Sequence, residues 1–226
     1  YEGAWEPEPF IRTMPKLMAH LRTHVGWDVQ MFFDAHGRLT PSEAARLMHD
    51  IEDYKLIYLE DPIGPEHAPS MRRVRAGGTT PIAIGEIMSS RFEVLPMIID
   101  QSIDYMRCSP QHIGGITEAK KIAAIGEPHD VRTAYHGPGD IGPIGAAASA
   151  HVGMSIPNFG IQEWAHHPEI VREVMPPALT YDDGYLMLSD APGLGADINE
   201  ELAARFPYQR KYLPATRRAD GSMHGY

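Results

Sequence analysis

The sequence is short of cysteine, short of basic residues relative to acidic ones, and without a long apolar run. Its one cysteine, Cys108, excludes an internal disulfide framework and fits a reducing compartment, so the cytoplasm is the expected location. Twenty basic residues against 30 acidic ones give a net charge of −10, which argues against a nucleic-acid surface, because that needs a basic face. No apolar stretch approaches the roughly 20 residues of a membrane-spanning helix. The opening Tyr1-Glu2-Gly3-Ala4-Trp5 is polar and acidic, unlike a secretory leader. The glycine fingerprints GxGxxG and GxxxxGK of nucleotide-phosphate loops are also missing. What remains is a chain of 226 residues, 43% hydrophobic and 22% charged, long enough for a large core in one domain or slightly more.

Apolar periodicity then organises the chain. Phe10, Met14, Leu17, Met18, Leu21 and Val25 fall at helical spacing, so residues 8–25 read as a helix stopped by Gly26. Strand VQMFFD (29–34) follows, and Thr40-Pro41-Ser42-Glu43 is a capping-box start for a helix through about His49. The same alternation continues with KLIYLE (55–60) and a helix near Pro69–Arg75, then PIAIGE (81–86) and a helix near Phe92–Ile99. SIDYMR (102–107) precedes Ile116–Ile125, with Gly114-Gly115 in the loop between, and VRTAYH (131–136) precedes Ile144–His151. SIPNFGIQE (155–163) closes the series, and after residue 175 the chain reads as irregular apart from a short helix near Glu200–Arg205. Strand ends recur every 26 residues or so. Strict alternation implies a parallel sheet, and reactive residues at every strand end favour a TIM-type barrel over an open sheet. A closed barrel needs about eight strands, so the chain is expected to be a C-terminal portion of a longer protein.

The strand ends carry the chemistry. Asp34, Glu60 and Glu86 lie 26 residues apart and each ends an apolar run. Parallel strands deliver their C-terminal ends to one rim, where three carboxylates would repel by roughly 4 kcal/mol per pair at about 4 Å and an effective dielectric near 20. A divalent cation removes that repulsion. Oxygen-only donors point to a hard ion, Mg²⁺ before Mn²⁺ or Ca²⁺. The other strand ends offer Arg107, His136 with Asp140 nearby, and Glu163, while His36 stands two residues beyond Asp34. Arg107 is expected to face an anion, either a substrate carboxylate or one of the metal-binding acids. Glu163 is a candidate acceptor for substrate hydroxyls. Cys108 has no histidine partner in sequence and reads as core packing, and His166-His167 reads as a solvated loop pair.

These residues and the words around them resemble the mannonate dehydratase group of the enolase superfamily. The resemblance rests on FDAHGRLTPSEAARL (33–47), YLEDPIGPE (58–66), TTPIAIGE (79–86), GGIT (114–117), HGPGD (136–140), PNFGIQE (157–163), DAPGLGADINEELAARFPYQRKYLP (190–214) and DGSM (220–223). It implies a (β/α)7β barrel, here lacking its first strands and an N-terminal α+β capping domain. Residues 1–184 would supply the third to eighth strands, and residues 185–226 a tail that packs on the capping domain or a neighbouring subunit of a homo-oligomer. It further implies Mg²⁺ on Asp34, Glu60 and Glu86, His36 as the acid that assists the leaving hydroxyl, and Arg107, His136, Asp140 and Glu163 against the substrate. The general base of the group, a Tyr paired with an Arg before the third strand, would lie outside these residues. The implied reaction is loss of water from a small sugar acid, D-mannonate or D-gluconate, giving a 2-keto-3-deoxy acid. Pro138 departs from the HGATD of efficient relatives, which implies low efficiency. The alternative is a non-catalytic member that binds metal and sugar acid in a regulatory role.

Overall fold

Proline, glycine and capping side chains decide where the elements begin and end. The computed structural model describes residues 4–212 and 216–223; the ends of the expected 185–226 tail and of the 190–214 motif fall partly outside them. Helix α1 (Pro7–Val25) starts with Pro at its first position and stops at Gly26, whose N–H donates to the Arg22 carbonyl at 3.0 Å. Strand β1 (Phe33–Asp34) leads to α2 (Pro41–Ile51), β2 (Leu59–Glu60), α3 (Met71–Arg75), β3 (Ile82–Ile84) and α4 (Arg91–Ile99). Strand β4 (Tyr105–Met106), α5 (Pro110–Ile113), α6 (Ile116–Gly126), β5 (Arg132–Tyr135), α7 (Pro143–Met154) and β6 (Phe159–Gln162) continue the series. Last come α8 (Glu169–Val174), β7 (Leu179–Asp182), β8 (Tyr185–Leu188) and α9 (Glu200–Ala203). Among the described residues no helix is long and apolar enough to cross a membrane.

The chain divides into two compact units and crosses between them more than once, first after Ile84 and again within β4, after Tyr105. The first holds the described residues up to Ile84, then Pro96–Tyr105 and the described end of the chain. In it β1 pairs in parallel with β2, Asp34 opposite Glu60, and β2 pairs in parallel with β3, Glu60 opposite Ala83. Helix α2 opens on the expected capping box, Thr40 with Glu43. Its buried Ala44, Leu47, Met48 and Ile51 form one face, and each large side chain of that face contributes about 1.5–3 kcal/mol by leaving water. Arg22 on α1 is buried, with its guanidinium donating to the carbonyls of Tyr54, Val29 and Gly26. The helix expected at Pro69–Arg75 is shorter: Pro65–Ser70 forms a 3-10 turn and only Met71–Arg75 is α-helical. Pro65 and Pro69 lack the N–H groups a regular helix would use there.

In the second unit β5 and β6 pair in parallel, with a bulge between Thr133 and Ala134. The loop expected around Gly114-Gly115 contains the one-turn helix α5, which Gly114 ends at φ 103 before α6 begins. Helix α7 lays Ala146, Ala147 and Ala150 against Ala178 and Leu179, with Trp164, Leu186 and Leu188 packed on them. The stretch after 175 is more regular than the sequence suggests. β7 and β8 form an antiparallel hairpin through Asp183-Gly184, both at positive φ, the two-residue turn that Asp-Gly favours. The boundary expected at 184/185 falls on that turn.

Candidate active-site residues

In the first unit the end of β1 folds back on itself. Asp34 accepts the His36 N–H at 2.8 Å, and its other oxygen lies 3.5 Å from His36 Nε2. His36 has φ 58 and the following Gly37 φ 66, so two left-handed residues reverse the chain immediately after the carboxylate. The Ala35 N–H donates to the Glu60 carbonyl, and the Gly37 N–H to the Asp61 carbonyl at 2.7 Å. Those bonds hold the β1 loop against the end of β2. Glu60 and Asp61 are both 1% exposed, and Asp61 takes φ 35. Asp34 and Glu60 thus stand in register on adjacent strands. Asp61 carries no periodic signal in the sequence; only its place directly after Glu60 and before Pro62 marks it.

In the second unit Arg107 is the organising residue. It is 2% exposed, and burying a guanidinium demands a charged partner and filled donors. Nη2 donates to Glu163 Oε2 at 2.6 Å and Nη1 to the carbonyls of Ala134 and Tyr135. Arg107 thus pairs with Glu163, an acid outside the proposed metal-binding set, where the sequence pointed to a substrate carboxylate or a metal-binding acid. The same Glu163 oxygen accepts the Gly137 N–H at 3.1 Å. A side chain at position 137 would meet the Glu163 carbonyl oxygen, so the loop of the HGPGD segment approaches this close only because the residue is glycine. Burial alone would raise the Glu163 carboxyl, but the Arg107 charge, its hydrogen bond and the Gly137 N–H together hold it below the usual carboxylate range.

Glu86 and His136 meet in the same unit, Nε2 to Oε2 at 3.3 Å, both side chains buried. Burial first, then the Arg107 charge, push the His136 imidazole down to about 4, against the opposite pull of Glu163 and Asp140. With Nε2 directed at Glu86, the buried Nδ1 has no hydrogen-bond partner among the described residues. His112 on α5, unsuspected from the sequence, bonds the Glu86 carbonyl through Nδ1 at 2.9 Å, and its ring centre lies 6.0 Å from that of His136. Its sequence signal is faint: a histidine five residues beyond Arg107. Asp140 is exposed, and Pro138, half-buried, accepts the Ile141 N–H at 3.0 Å in the turn that carries it.

The His166-His167 pair is not wholly solvated. His167 is buried and bonds the Ile141 carbonyl at 2.7 Å, because the loop after β6 folds under Trp164, whose ring meets both histidines edge-on. Cys108 is fully buried, and burial pushes its thiol up to about 12. At pH 8 about one molecule in ten thousand would carry the thiolate. Ellman's reagent should therefore leave Cys108 untouched in the native protein and modify it after unfolding, as read by mass spectrometry of its peptide; rapid native labelling of Cys108 would contradict the burial.

Comparison with known proteins fits these features. The family model described as Enolase C-terminal domain-like matches residues 5–202. A D-mannonate dehydratase of Caulobacter vibrioides is 45% identical over 225 residues, all of this chain and 56% of that protein. A D-galactonate dehydratase family member of Streptomyces bingchenggensis is 44% identical over 219 residues, covering 97% of this chain and 53% of its own length. The chain thus spans about half the length of the curated relatives it matches. Among solved structures, an enolase from Pantoea ananatis with bound D-gluconate and Mg superposes with a TM-score of 0.88 at 46% identity, covering 91% of this chain and 50% of that one.

Proposed function

Because the chain belongs to the Enolase C-terminal domain-like family, we propose that its protein is a Mg²⁺-dependent acid-sugar dehydratase of low efficiency. It would remove water from D-mannonate, D-gluconate or both to give 2-keto-3-deoxy-D-gluconate. The observation that carries this reading is the row of carboxylates on successive strand ends, with Asp34 and Glu60 already in register on β1 and β2. The dehydratase names of the relatives and the D-gluconate and Mg of the Pantoea ananatis enolase support the substrate class and the ion. The alternating strands and helices are part of a TIM-type barrel in this family.

The donor set fits Mg²⁺. Asp34, Glu60 and Glu86 offer only oxygen, and Glu60 and Glu86 are 1% and 6% exposed, a degree of burial that an ionised carboxylate tolerates only with strong partners. When bound there, Mg²⁺ would supply positive charge against the negative charge that grows on the substrate carboxylate as the α-proton leaves. Apart from the base that takes the C2 proton, which would lie outside these residues, the remaining roles would fall to side chains of this chain. That base would take the proton from C2, the C3–O bond would break, and His36 would give its proton to the departing hydroxyl so that water is the product. The resulting enol becomes the 2-keto acid. An imidazole suits that donation because hydroxide is a poor leaving group and histidine titrates near neutrality. His136 Nδ1 would accept a hydrogen bond from a substrate hydroxyl. Glu163, oriented by Arg107, and Asp140 would accept others. Pro138 removes one N–H from the loop that carries them, which is our reason for low turnover. The tail from residue 185 is proposed to pack on the capping part of the protein or on a neighbouring copy.

The complete protein with Mg²⁺ should convert D-mannonate or D-gluconate to a 2-keto-3-deoxy acid. No turnover across a panel of acid sugars would sink the dehydratase, and Mg²⁺ and sugar-acid binding without product would instead establish a non-catalytic binding protein. His36→Asn should retain Mg²⁺ binding and lose turnover by about a hundredfold or more, the usual contribution of general acid catalysis. Unchanged turnover in that variant would remove His36 from its role.

A further inference from the structure

Helix α1 carries two exposed histidines one turn apart, His20 and His24. Their ring centres are 4.1 Å apart and the rings are tilted by 36°. One of the four ring nitrogens has a fixed role. His24 Nδ1 lies 2.8 Å from the His20 carbonyl oxygen, and a carbonyl only accepts, so Nδ1 carries the proton. The lone pair of His24 is then on Nε2, the far side of the ring. A histidine that donates one ring N–H to a carbonyl and presents the other nitrogen is arranged as a metal ligand. Arg22, between them in sequence, is buried and holds backbone carbonyls of the loop after the helix. Its charge is thus kept on another face of α1.

We infer that His20 and His24 form a two-imidazole site for a divalent first-row transition ion, Zn²⁺ or Cu²⁺, on the exposed face of α1. Metal–nitrogen bonds of about 2.0–2.1 Å require two nitrogens about 3 Å apart, a spacing within reach of side-chain torsions for two exposed rings whose centres are already 4.1 Å apart. Side chains four residues apart face each other only in a helix, so the ion would bind the folded segment and stabilise it. Imidazole nitrogen suits Zn²⁺ and Cu²⁺ and is a poor match for Mg²⁺, which takes oxygen. The site is therefore chemically distinct from the strand-end carboxylates.

The test is titration of the complete protein with ZnCl₂ in excess Mg²⁺, alongside His20→Gln and His24→Gln variants whose helicity is checked by circular dichroism. One Zn²⁺ equivalent should weaken by about tenfold or more in each variant, and Zn²⁺ should raise the melting temperature of the unaltered protein more than that of either variant. With one equivalent of Cu²⁺, the electron paramagnetic resonance spectrum should show two coordinated nitrogens, and fewer in each variant. Wild-type Zn²⁺ affinity in either variant, or an unchanged Cu²⁺ spectrum, would overturn the site.

Discussion

Arg107→Met should lower the stability of the protein by about 3–5 kcal/mol, the usual cost of breaking a buried ion pair from one side. The guanidinium fills three roles at once: it neutralises Glu163 and donates to the carbonyls of Ala134 and Tyr135. Methionine matches part of its volume and none of its charge. Two carbonyls lose a donor, and the Glu163 carboxylate is left half-buried with the Gly137 N–H. Glu163→Gln should cost less, about 2 kcal/mol, because that side chain is 30% exposed and solvent screens part of the loss. The pH dependence has a definite sign. Glu163 is held below its ordinary value of 4.5 in the folded protein, so the pair's contribution is fully present above 4.5 and disappears as pH falls through the depressed value. Urea unfolding should therefore show a gap between the unaltered protein and Arg107→Met that is constant from pH 6 to 8 and narrows below the ordinary carboxylate range, leaving the smaller part owed to the two carbonyls. A gap that persists unchanged at the acid end would mean that packing, and not the ion pair, carries the effect.

Glu60→Gln should abolish Mg²⁺-dependent activity with the fold retained. Glutamine keeps the shape and removes one of three proposed negative ligands, and the lost stabilisation of substrate charge is worth several kcal/mol, a fall of about a thousandfold in turnover. The metal-free variant should melt no lower than the metal-free parent, because the substitution also relieves carboxylate repulsion. Only the parent should gain melting temperature on adding Mg²⁺. A Glu60→Gln protein that still responds to Mg²⁺ like its parent would take Glu60 out of the ligand set.

The sequence pattern foretells elements whose signals are local. The apolar spacing of residues 8–25 became α1, and Thr40-Pro41 with Glu43 became the capped start of α2, because helix period and capping chemistry are both readable within a few residues. The strands are shorter than their apolar runs, two to four residues of ladder in each, since hydrophobic composition marks burial while ladder length depends on the neighbouring strand. What escaped the reading is mostly non-local. Arg107 and Glu163 are 56 residues apart in sequence, and nothing in either neighbourhood names the other. His112 acts through a backbone carbonyl, which leaves no trace in residue types. The hairpin of β7 and β8 was legible in principle from Asp183-Gly184 between two apolar segments, and it was hidden by the proline and glycine around it.

The central proposal is that Asp34, Glu60 and Glu86 hold the ion against which the acid sugar reacts. Its most direct test is a crystal of the complete protein grown with Mn²⁺ in place of Mg²⁺ and with D-gluconate. Anomalous scattering should show Mn²⁺ bounded by one or more oxygens from each of Asp34, Glu60 and Glu86 at about 2.0–2.3 Å, with the substrate carboxylate on the same ion. Mn²⁺ held by other side chains, or bound without any one of these three, would contradict it.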